Sequence, residues 1–292
     1  MKTNKTFNII LILILFTGIA LFFLSLKSNR IKQNDGIIES ETFHNYNIKN
    51  TYKLPKILNE VSGIVWLTYN TFACIQDEDG SIFIYNTENS RITSEIKFAS
   101  KGDYEAIAIN NEDAYVLRSD GLIYEIKQYL SDHPKIFKIV TPFKSHNNME
   151  SLTYDKQKNQ LLITPKEYDL GKKHIKSIYK IPLLTKQMDS IPIVKIDLKA
   201  DILKDFKEKK IHETLCPSDI AIHPKTKDIY VLEGRNPKLL ILNREGNILN
   251  AFELDKHKFA QPEGITFSDD GRLFISNEAN DDSANILEVE LK

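Results

Sequence analysis

Three carboxylates occupy the same place in successive copies of a repeated motif, and this placement carries the most chemical information in the chain. Glu105, Glu150 and Glu263 each stand just before a short apolar segment. Calcium takes about six to eight oxygen ligands in a flexible shell, so carboxylates from different repeats of one fold can share an ion. Alternatively, each carboxylate accepts backbone hydrogen bonds or pairs with a basic side chain and is structural. The residues alone leave both interpretations open.

A second set of polar residues follows the apolar segment that comes next in each repeat. In an antiparallel pair, the start of the first strand and the end of the second lie at the same end of the sheet. These residues are therefore predicted to surround the same opening as the three carboxylates. The predicted ligand-binding residues of this mouth are Asp77, Arg118, Lys166, Glu233, Arg235 and Glu278. In the fourth motif, either Asp219 or Ser218 holds the position of the acidic residue.

The elements that must position these residues are short strands in a repeating order. Copies of the motif begin at Val61, Tyr104, Met149, Pro217 and Pro262. A period of about 45 residues indicates a repeat architecture. Each unit has short segments with the alternation of β-strands, four to a unit, as in a propeller blade. We therefore predict an all-β fold, a β-propeller of five four-stranded blades, with six blades as the alternative.

Two irregularities in the repeat have simple explanations. The interval between the third and fourth motifs is longer than the others by about 23 residues. Residues 200–212 account for it, and their apolar spacing predicts a short amphipathic helix in a loop. The fifth unit ends after its third strand, whereas residues 46–54 alternate like a fourth strand. We predict that this segment pairs with the last blade and closes the ring, because an open edge would be a pairing template.

The N-terminal region predicts a membrane anchor. Residues 7–26 contain no charged side chain and are long enough to form a transmembrane helix. No small-residue cleavage site follows, which favours an uncleaved signal anchor over a cleaved signal peptide. Basic residues are nearly balanced across the span, and we expect the propeller on the extracytoplasmic side, periplasmic or extracellular. The predicted organisation is a tail (1–6), the anchor (7–26), a flexible linker (27–45) and the propeller (46–292).

Composition excludes some classes of function. A net charge of −1 argues against nucleic acid as a partner. Cys74 and Cys216 fall in different blades, so buried free thiols are predicted rather than a disulfide. The sequence has no phosphate-binding glycine loop, no nucleophile elbow and no zinc-binding motif.

Whether the protein is an enzyme stays open. An enzyme with these residues would be a metal-dependent hydrolase of lactones, esters or phosphoesters, with Glu105, Glu150 or His146 activating water. A solvated loop position is the alternative for His146. Because no nucleophile is recognisable, we expect a binding function first.

The ordered set of motifs resembles the SdiA-regulated, YjiK-like propeller family. It comprises residues 60–64 (EVSGI), 76–78 (QDE), 102–107 (GDYEAI), 148–152 (NMESL), 166–167 (KE), 217–220 (PSDI), 261–265 (QPEGI) and 277–278 (NE). The resemblance covers roughly residues 55–292 and implies an exported or membrane-tethered propeller without an established reaction. The chain is more distantly similar to NHL repeats and to calcium-dependent lactonase propellers.

The lactonase-type propellers suggest a metal site at the axis. By this resemblance, Glu105, Glu150 and Glu263 would bind calcium, with Asn148 and Asn277 as companions and Asp219 as a further ligand. Ala106 and Ser151 depart from the glycines usual in the SdiA-regulated family, but the acidic residue before each is kept. The sequence therefore predicts a membrane-anchored propeller that binds calcium and a small molecule or protein partner at its mouth.

Overall fold

The computed structural model of the protein describes residues 45–280 and 282–292. Strand β1 spans Tyr46–Lys53. The first two blades consist of β2 (Val61–Thr68), β3 (Thr71–Gln76), β4 (Ser81–Asn86), β5 (Arg91–Lys97), β6 (Tyr104–Asn110), β7 (Asp113–Arg118), β8 (Ile123–Lys127) and β9 (Lys135–Ile139).

The other three blades complete the chain order. Their strands are β10 (Met149–Asp155), β11 (Gln160–Pro165), β12 (Ile175–Pro182), β13 (Val194–Asp197), β14 (Pro217–Ile222), β15 (Ile229–Glu233), β16 (Lys238–Leu242), β17 (Ile248–Glu253), β18 (Pro262–Phe267), β19 (Leu273–Asn277) and β20 (Asn285–Leu291). Short 3-10 helices span Lys56–Leu58, Ser145–Asn147, Asp201–Phe206 and Ile211–Thr214.

These strands form five antiparallel four-stranded sheets, which confirms a propeller of five blades rather than six. Blades one to four follow chain order, β2–β5, β6–β9, β10–β13 and β14–β17. The first strands of the blades contact one another around the ring, so they line the central channel. Apolar side chains between neighbouring blades form the core; Phe72 and Phe274, for example, pack edge to face across blades one and five. Each blade therefore depends on its neighbours for burial.

The ring closes as the sequence predicts. Blade five has the order β18-β19-β20-β1, and β1 pairs with β20 from Tyr46↔Leu291 to Lys53↔Asn285. The buried ring of Tyr46 packs edge to face on Phe259, with centroids 5.4 Å apart. Because β1 enters beside Leu291, the chain joins the propeller at the end of blade five that lies opposite the start of β18.

Deletion of residues 46–54 should abolish stable folding. The deletion would expose the edge of β20 and remove the contact of Tyr46 with Phe259, and an open edge promotes association. We expect no cooperative thermal transition by circular dichroism and an aggregated chain in size-exclusion chromatography. Replacement of the exposed Lys49 by Ala in the same strand is the control and should melt as the wild type does. A monomeric deletion variant with the wild-type melting temperature would contradict the closure.

The inserted loop differs in detail from its prediction. Two 3-10 helices, Asp201–Phe206 and Ile211–Thr214, replace the single amphipathic helix expected over residues 200–212. Leu203 is fully buried, and Phe206 and Ile211 pack on the core between blades three and four. The conformation of this segment is therefore determined by the packing of Leu203, Phe206 and Ile211 on the blades and not by the apolar face of one continuous helix.

Two further predictions concern the cysteines and the N-terminal region. Cys74 and Cys216 are both buried and free, as predicted. Within the described residues, no helix has the length and apolar character needed to cross a membrane. The predicted tail (1–6), anchor (7–26) and all of the linker before Asn45 lie outside the described residues.

Candidate functional site

Each inner strand begins with a β-bulge, and the bulges explain why the motif recurs. In blade one, Val61 pairs with Gln76 and Gly63 pairs with Ile75, which leaves the residue between them without a partner. The same register shift occurs in the other four blades. The bulged residues are Ser62, Glu105, Glu150, Ser218 and Glu263. Bulges re-aim side chains beside functional sites, and here five of them lie at one mouth of the channel.

Two of the five bulged residues are serines with structural hydrogen bonds. The hydroxyl of Ser62 donates to the carbonyl of Tyr104 at 2.6 Å. The hydroxyl of Ser218 donates to the carbonyl of Pro262 at 2.8 Å. Each bond joins one blade to the start of the next. Ser218, not Asp219, is thus the structural equivalent of the three glutamates.

The ammonium group of Lys166 contacts Glu150 and interacts electrostatically with Glu105 and Glu263. Nζ of Lys166 lies 2.5 Å from Oε2 of Glu150, and both side chains are largely buried. The amide of Asn148 donates to Oε1 of Glu150 at 2.6 Å. Asn148 adopts a left-handed conformation with φ of 47°, which turns the chain into β10. A buried lysine therefore already neutralises part of the acidic cluster.

The electrostatics of the cluster favour protons or a cation. Burial, followed by the charges of Glu150, Asp103 and Glu263, raises the pKa of Glu105 to about 10. Burial raises the pKa of Glu150 to about 7 even though Lys166 opposes the shift. Burial also raises the pKa of Glu263. Burial alone would lower the pKa of Lys166, but the neighbouring carboxylates outweigh it and raise that pKa. Any added cation would relieve the same repulsion.

A second acidic group lies at the rim on blades one and five. Burial and the nearby Glu60 raise the pKa of Asp77 to about 6. Burial, Glu263 and Asp77 raise the pKa of Glu278 to about 8, and the amide of Gln261 donates a short hydrogen bond to Glu278. The negative charge of Glu263 therefore acts on Glu278 at the rim as well as on Glu105 and Glu150 in the central cluster. Glu60 and Asp103 were missed as site residues, although each stands close before a motif in the sequence.

Raised carboxyl pKa values link stability to pH with a definite sign. The folded chain holds protons that unfolded glutamates release near pH 4.3. This stabilisation is complete below about pH 4.3 and is lost as pH rises through the folded values, about 7 for Glu150, 8 for Glu278 and 10 for Glu105. In chelator, replacement of Glu105 by Gln should therefore stabilise the chain by about 1 to 3 kcal/mol more at about pH 9 than at about pH 6.

Urea unfolding at the two pH values measures this difference. The exposed Glu112, in the turn before β7, is the matched control, and its replacement by Gln should show no such pH dependence. Equal effects of Glu105→Gln at both pH values would mean that Glu105 is ionised in the folded chain across this range.

The other predicted mouth residues have partners of their own. Arg118 pairs with Asp120 at 2.6 Å. Arg235 donates to Glu167, so these two side chains connect blades four and three. Glu233 is fully buried and pairs with Lys238 at 2.5 Å. The structure therefore brings Lys166, Glu278 and Asp77 together with the glutamates, and places Arg118, Arg235 and Glu233 in separate ion pairs.

Both carboxylate oxygens of Asp219 accept hydrogen bonds from backbone N–H groups. Its Oδ1 accepts from the N–H groups of Ile220 at 2.8 Å and Leu152 at 3.4 Å, and its Oδ2 accepts from Ile265 at 3.0 Å. Burial raises the pKa of Asp219, whereas these three donors act to lower it. The three donors come from blades four, three and five, so this carboxylate joins three blades at the channel.

Asn277 and His146 have contrasting environments. Asn277 is 1% exposed, its amide donates to Asn285 at 2.9 Å, and its Oδ1 is buried without a hydrogen-bond partner. That free oxygen suits a cationic ligand. His146 is exposed in the helix Ser145–Asn147, and the described residues show no hydrogen bond or ion pair between it and the glutamates. Across residues 45–280 and 282–292, no three acidic, histidine or cysteine side chains are already arranged as a metal centre.

The fold and this site define a five-bladed β-propeller with a buried acidic cluster at one channel mouth. The sequence matches the SdiA-regulated family over residues 39–280, and the chain belongs to that family. The resemblance seen in the motifs is thereby confirmed. No curated protein matches the sequence.

Solved structures with similar folds are distant in sequence. Glutaminyl cyclase from Myxococcus xanthus superposes with a TM-score of 0.60 at 12% identity, over 85% of this chain and 96% of that chain. The PQQ-bound aldose sugar dehydrogenase from Streptomyces coelicolor gives a TM-score of 0.52 at 12% identity, over 85% and 98% of the two chains. At such identities the likeness shows the propeller fold alone.

Proposed function

We propose that this protein is a ligand-binding propeller whose acidic mouth takes a cation and presents it to a small molecule or protein partner. The observation that carries the proposal is the placement of Glu105, Glu150 and Glu263 at equivalent bulges of one mouth, where Lys166 is the basic group that pairs with Glu150. Carboxylates that are buried together bind a cation because the ion removes their mutual repulsion. The free Oδ1 of Asn277 adds a neutral oxygen near the same mouth.

Calcium is the cation that this donor set fits in chemical type. Glu105, Glu150 and Glu263 would supply carboxylate oxygens, and Asn148 and Asn277 would supply amide oxygens, the hard ligands that calcium prefers. The geometry of these side chains fits calcium less well than their chemical type does. Lys166 lies against Glu150, and in the described residues no three acidic side chains are close enough together to hold a metal ion. Calcium must therefore displace the ammonium group of Lys166 from Glu150. Asp219 is left out of the set because its oxygens accept backbone donors.

Calcium binding to the chelator-treated full-length chain tests this function directly. Isothermal titration calorimetry should show one saturable site, with protons released because Glu150 and Glu105 are partly or fully protonated at neutral pH. Proton release is measured by repeating the titration in buffers with different ionisation enthalpies. A chain that gives no saturable binding at millimolar calcium would contradict the calcium site.

A calcium-dependent hydrolase of lactones, esters or phosphoesters is the second candidate. Its support is Glu105, which in this alternative stays outside the calcium shell, since a carboxyl with a pKa of about 10 is protonated at neutral pH and can donate a proton. Binding comes first because His146 is exposed and the described mouth offers no activated nucleophile. Calcium-dependent hydrolysis of p-nitrophenyl acetate that is lost in Glu105→Gln would favour the enzyme, and no hydrolysis would exclude this ester as a substrate.

We also propose that residues 7–26 anchor the protein in the membrane with the propeller on the extracytoplasmic side. The support is the uncharged length of this segment. Alkaline phosphatase fused after Lys292 should be active in a bacterial host, because it matures outside the cytoplasm. β-Galactosidase fused at the same point should be inactive. The opposite pattern would place the propeller in the cytoplasm.

A further inference from the structure

A groove between blades four and five opens on the face of the propeller opposite the acidic mouth. Its volume is about 450 Å³. Its apolar lining consists of Tyr230, Phe267, Leu273, Val289 and Leu291, which continue the apolar core of this blade interface. Small-molecule sites have volumes of about 300 to 1,000 Å³ and combine apolar walls with a few fixed polar groups. This groove meets the size criterion.

Three aromatic rings hold one another in place at one end of the groove. The rings of Tyr230 and Phe267 meet edge to face with centroids 4.8 Å apart. His223 lies edge to face on Phe267 at 4.9 Å and stacks over Tyr230 at 5.9 Å. Such contacts fix ring orientation beyond what apolar burial alone does. The groove therefore has a rigid aromatic wall before any ligand arrives.

His223 presents a hydrogen-bond donor to the groove. Its Nδ1 accepts from the backbone N–H groups of Thr226 at 3.1 Å and Lys225 at 3.3 Å. Because Nδ1 accepts these bonds it carries no proton, so the proton of the neutral ring sits on Nε2, and burial lowers the pKa of His223 in agreement. Gly271, at φ of 98°, faces this nitrogen, and a Cβ there would lie 3.1 Å from Nε2. The glycine thus leaves the space beside the donor open.

The rim of the groove is polar and nearly balanced in charge. Arg272 lies over the ring of Phe274 and faces Asp270 at 3.4 Å and Glu288 at 3.6 Å. Lys49 pairs with Glu290 at 2.7 Å on the adjacent strands. Donors and acceptors are therefore both present beside the apolar lining. An anion would be opposed by three carboxylates and a cation by two basic groups, whereas hydroxyl groups both donate and accept.

We propose that this groove binds a neutral polyhydroxylated ring of the size of a mono- or disaccharide. The C–H face of the ring would lie against the aromatic wall that Tyr230 and Phe267 form. Its hydroxyl groups would accept from His223 Nε2 and Arg272 and donate to Glu290 and Asp270. The groove shares no residue with the mouth on the opposite face, so the site stands independently of cation binding there.

Saturation-transfer NMR on the full-length chain tests the site. The protein is kept in a detergent without a sugar headgroup, and the probes are methyl glucoside, methyl galactoside and N-acetylglucosamine, each at millimolar concentration. At least one sugar should receive saturation, equally in calcium and in chelator. Tyr230→Leu, which keeps an apolar side chain and removes the aromatic ring, and Glu290→Gln at the exposed rim should each weaken binding about fivefold to tenfold.

Three comparisons keep the result interpretable. Glu112→Gln, in the β6–β7 turn of a distant blade, should bind the sugars as the wild type does. Saturation that persists in the Tyr230→Ala and Glu290→Gln double variant would place the sugars elsewhere and overturn the proposal. Binding of indole without binding of any sugar would overturn it too, because the groove would then select an apolar ring rather than hydroxyl groups.

Discussion

Calcium at a hundredfold excess over its dissociation constant should raise the free energy of unfolding by about 2.7 kcal/mol. The reason is mass action, since the folded mouth would bind an ion that the unfolded chain does not. Thermal melting of the full-length chain in chelator and in increasing calcium measures the gain. The rise should continue with the logarithm of the calcium concentration, and chelator should reverse it.

Replacement of Glu150 by Gln separates the calcium site from a purely structural cluster. The change keeps the shape and removes one charge, so it should weaken calcium binding while leaving the metal-free melting temperature unchanged or higher, by relief of repulsion with Glu263. If Glu150 serves only to hold Lys166, the same variant should lose about 1.5 to 3 kcal/mol without calcium, because a charge-assisted bond is broken.

Lys166 provides the complementary variant. Lys166→Gln removes the ammonium group that lies 2.5 Å from Glu150, so calcium should bind more tightly and the metal-free chain should become less stable. A wild-type chain whose melting is indifferent to millimolar calcium, together with a destabilised Glu150→Gln variant, would contradict the calcium site and assign the cluster to structure.

Replacement of Asp219 by Ala should destabilise the chain by about 3 to 5 kcal/mol. The substitution leaves the N–H groups of Ile220, Leu152 and Ile265 buried without their acceptor, and each loss costs about 1 to 3 kcal/mol. Relief of burying a charge offsets part of this cost. Urea unfolding in chelator measures the change, and no calcium concentration should restore it fully.

Two further variants define the role of Asp219. Asp219→Asn keeps one acceptor oxygen, so its loss should be smaller, although its NH₂ group would then face an N–H donor. Asp197→Ala, at an exposed carboxylate in β13, is the control and should change stability by less than about 0.5 kcal/mol. A loss below about 1 kcal/mol for Asp219→Ala would mean that water or rearranged backbone satisfies the three donors.

Local sequence determined the blades and their order. Strand alternation and the motif spacing predicted five units, and the alternation of residues 46–54 predicted the pairing of β1 with β20. These features are readable because apolar periodicity within a strand depends on neighbours in the chain. The same spacing correctly placed Glu105, Glu150 and Glu263 at one mouth, because antiparallel strands in successive blades begin at the same end.

Tertiary structure alone decided what each charged group does there. Nothing in the sequence distinguishes Lys166, which enters the acidic cluster, from Arg118 and Arg235, which pair with Asp120 and Glu167. Asp219 and Ser218 are adjacent, yet the bulge turns Ser218 toward the next blade and leaves Asp219 to join three blades. The reason is physical: bulge geometry and the approach of neighbouring blades are set by contacts between residues far apart in the chain, which local periodicity does not encode.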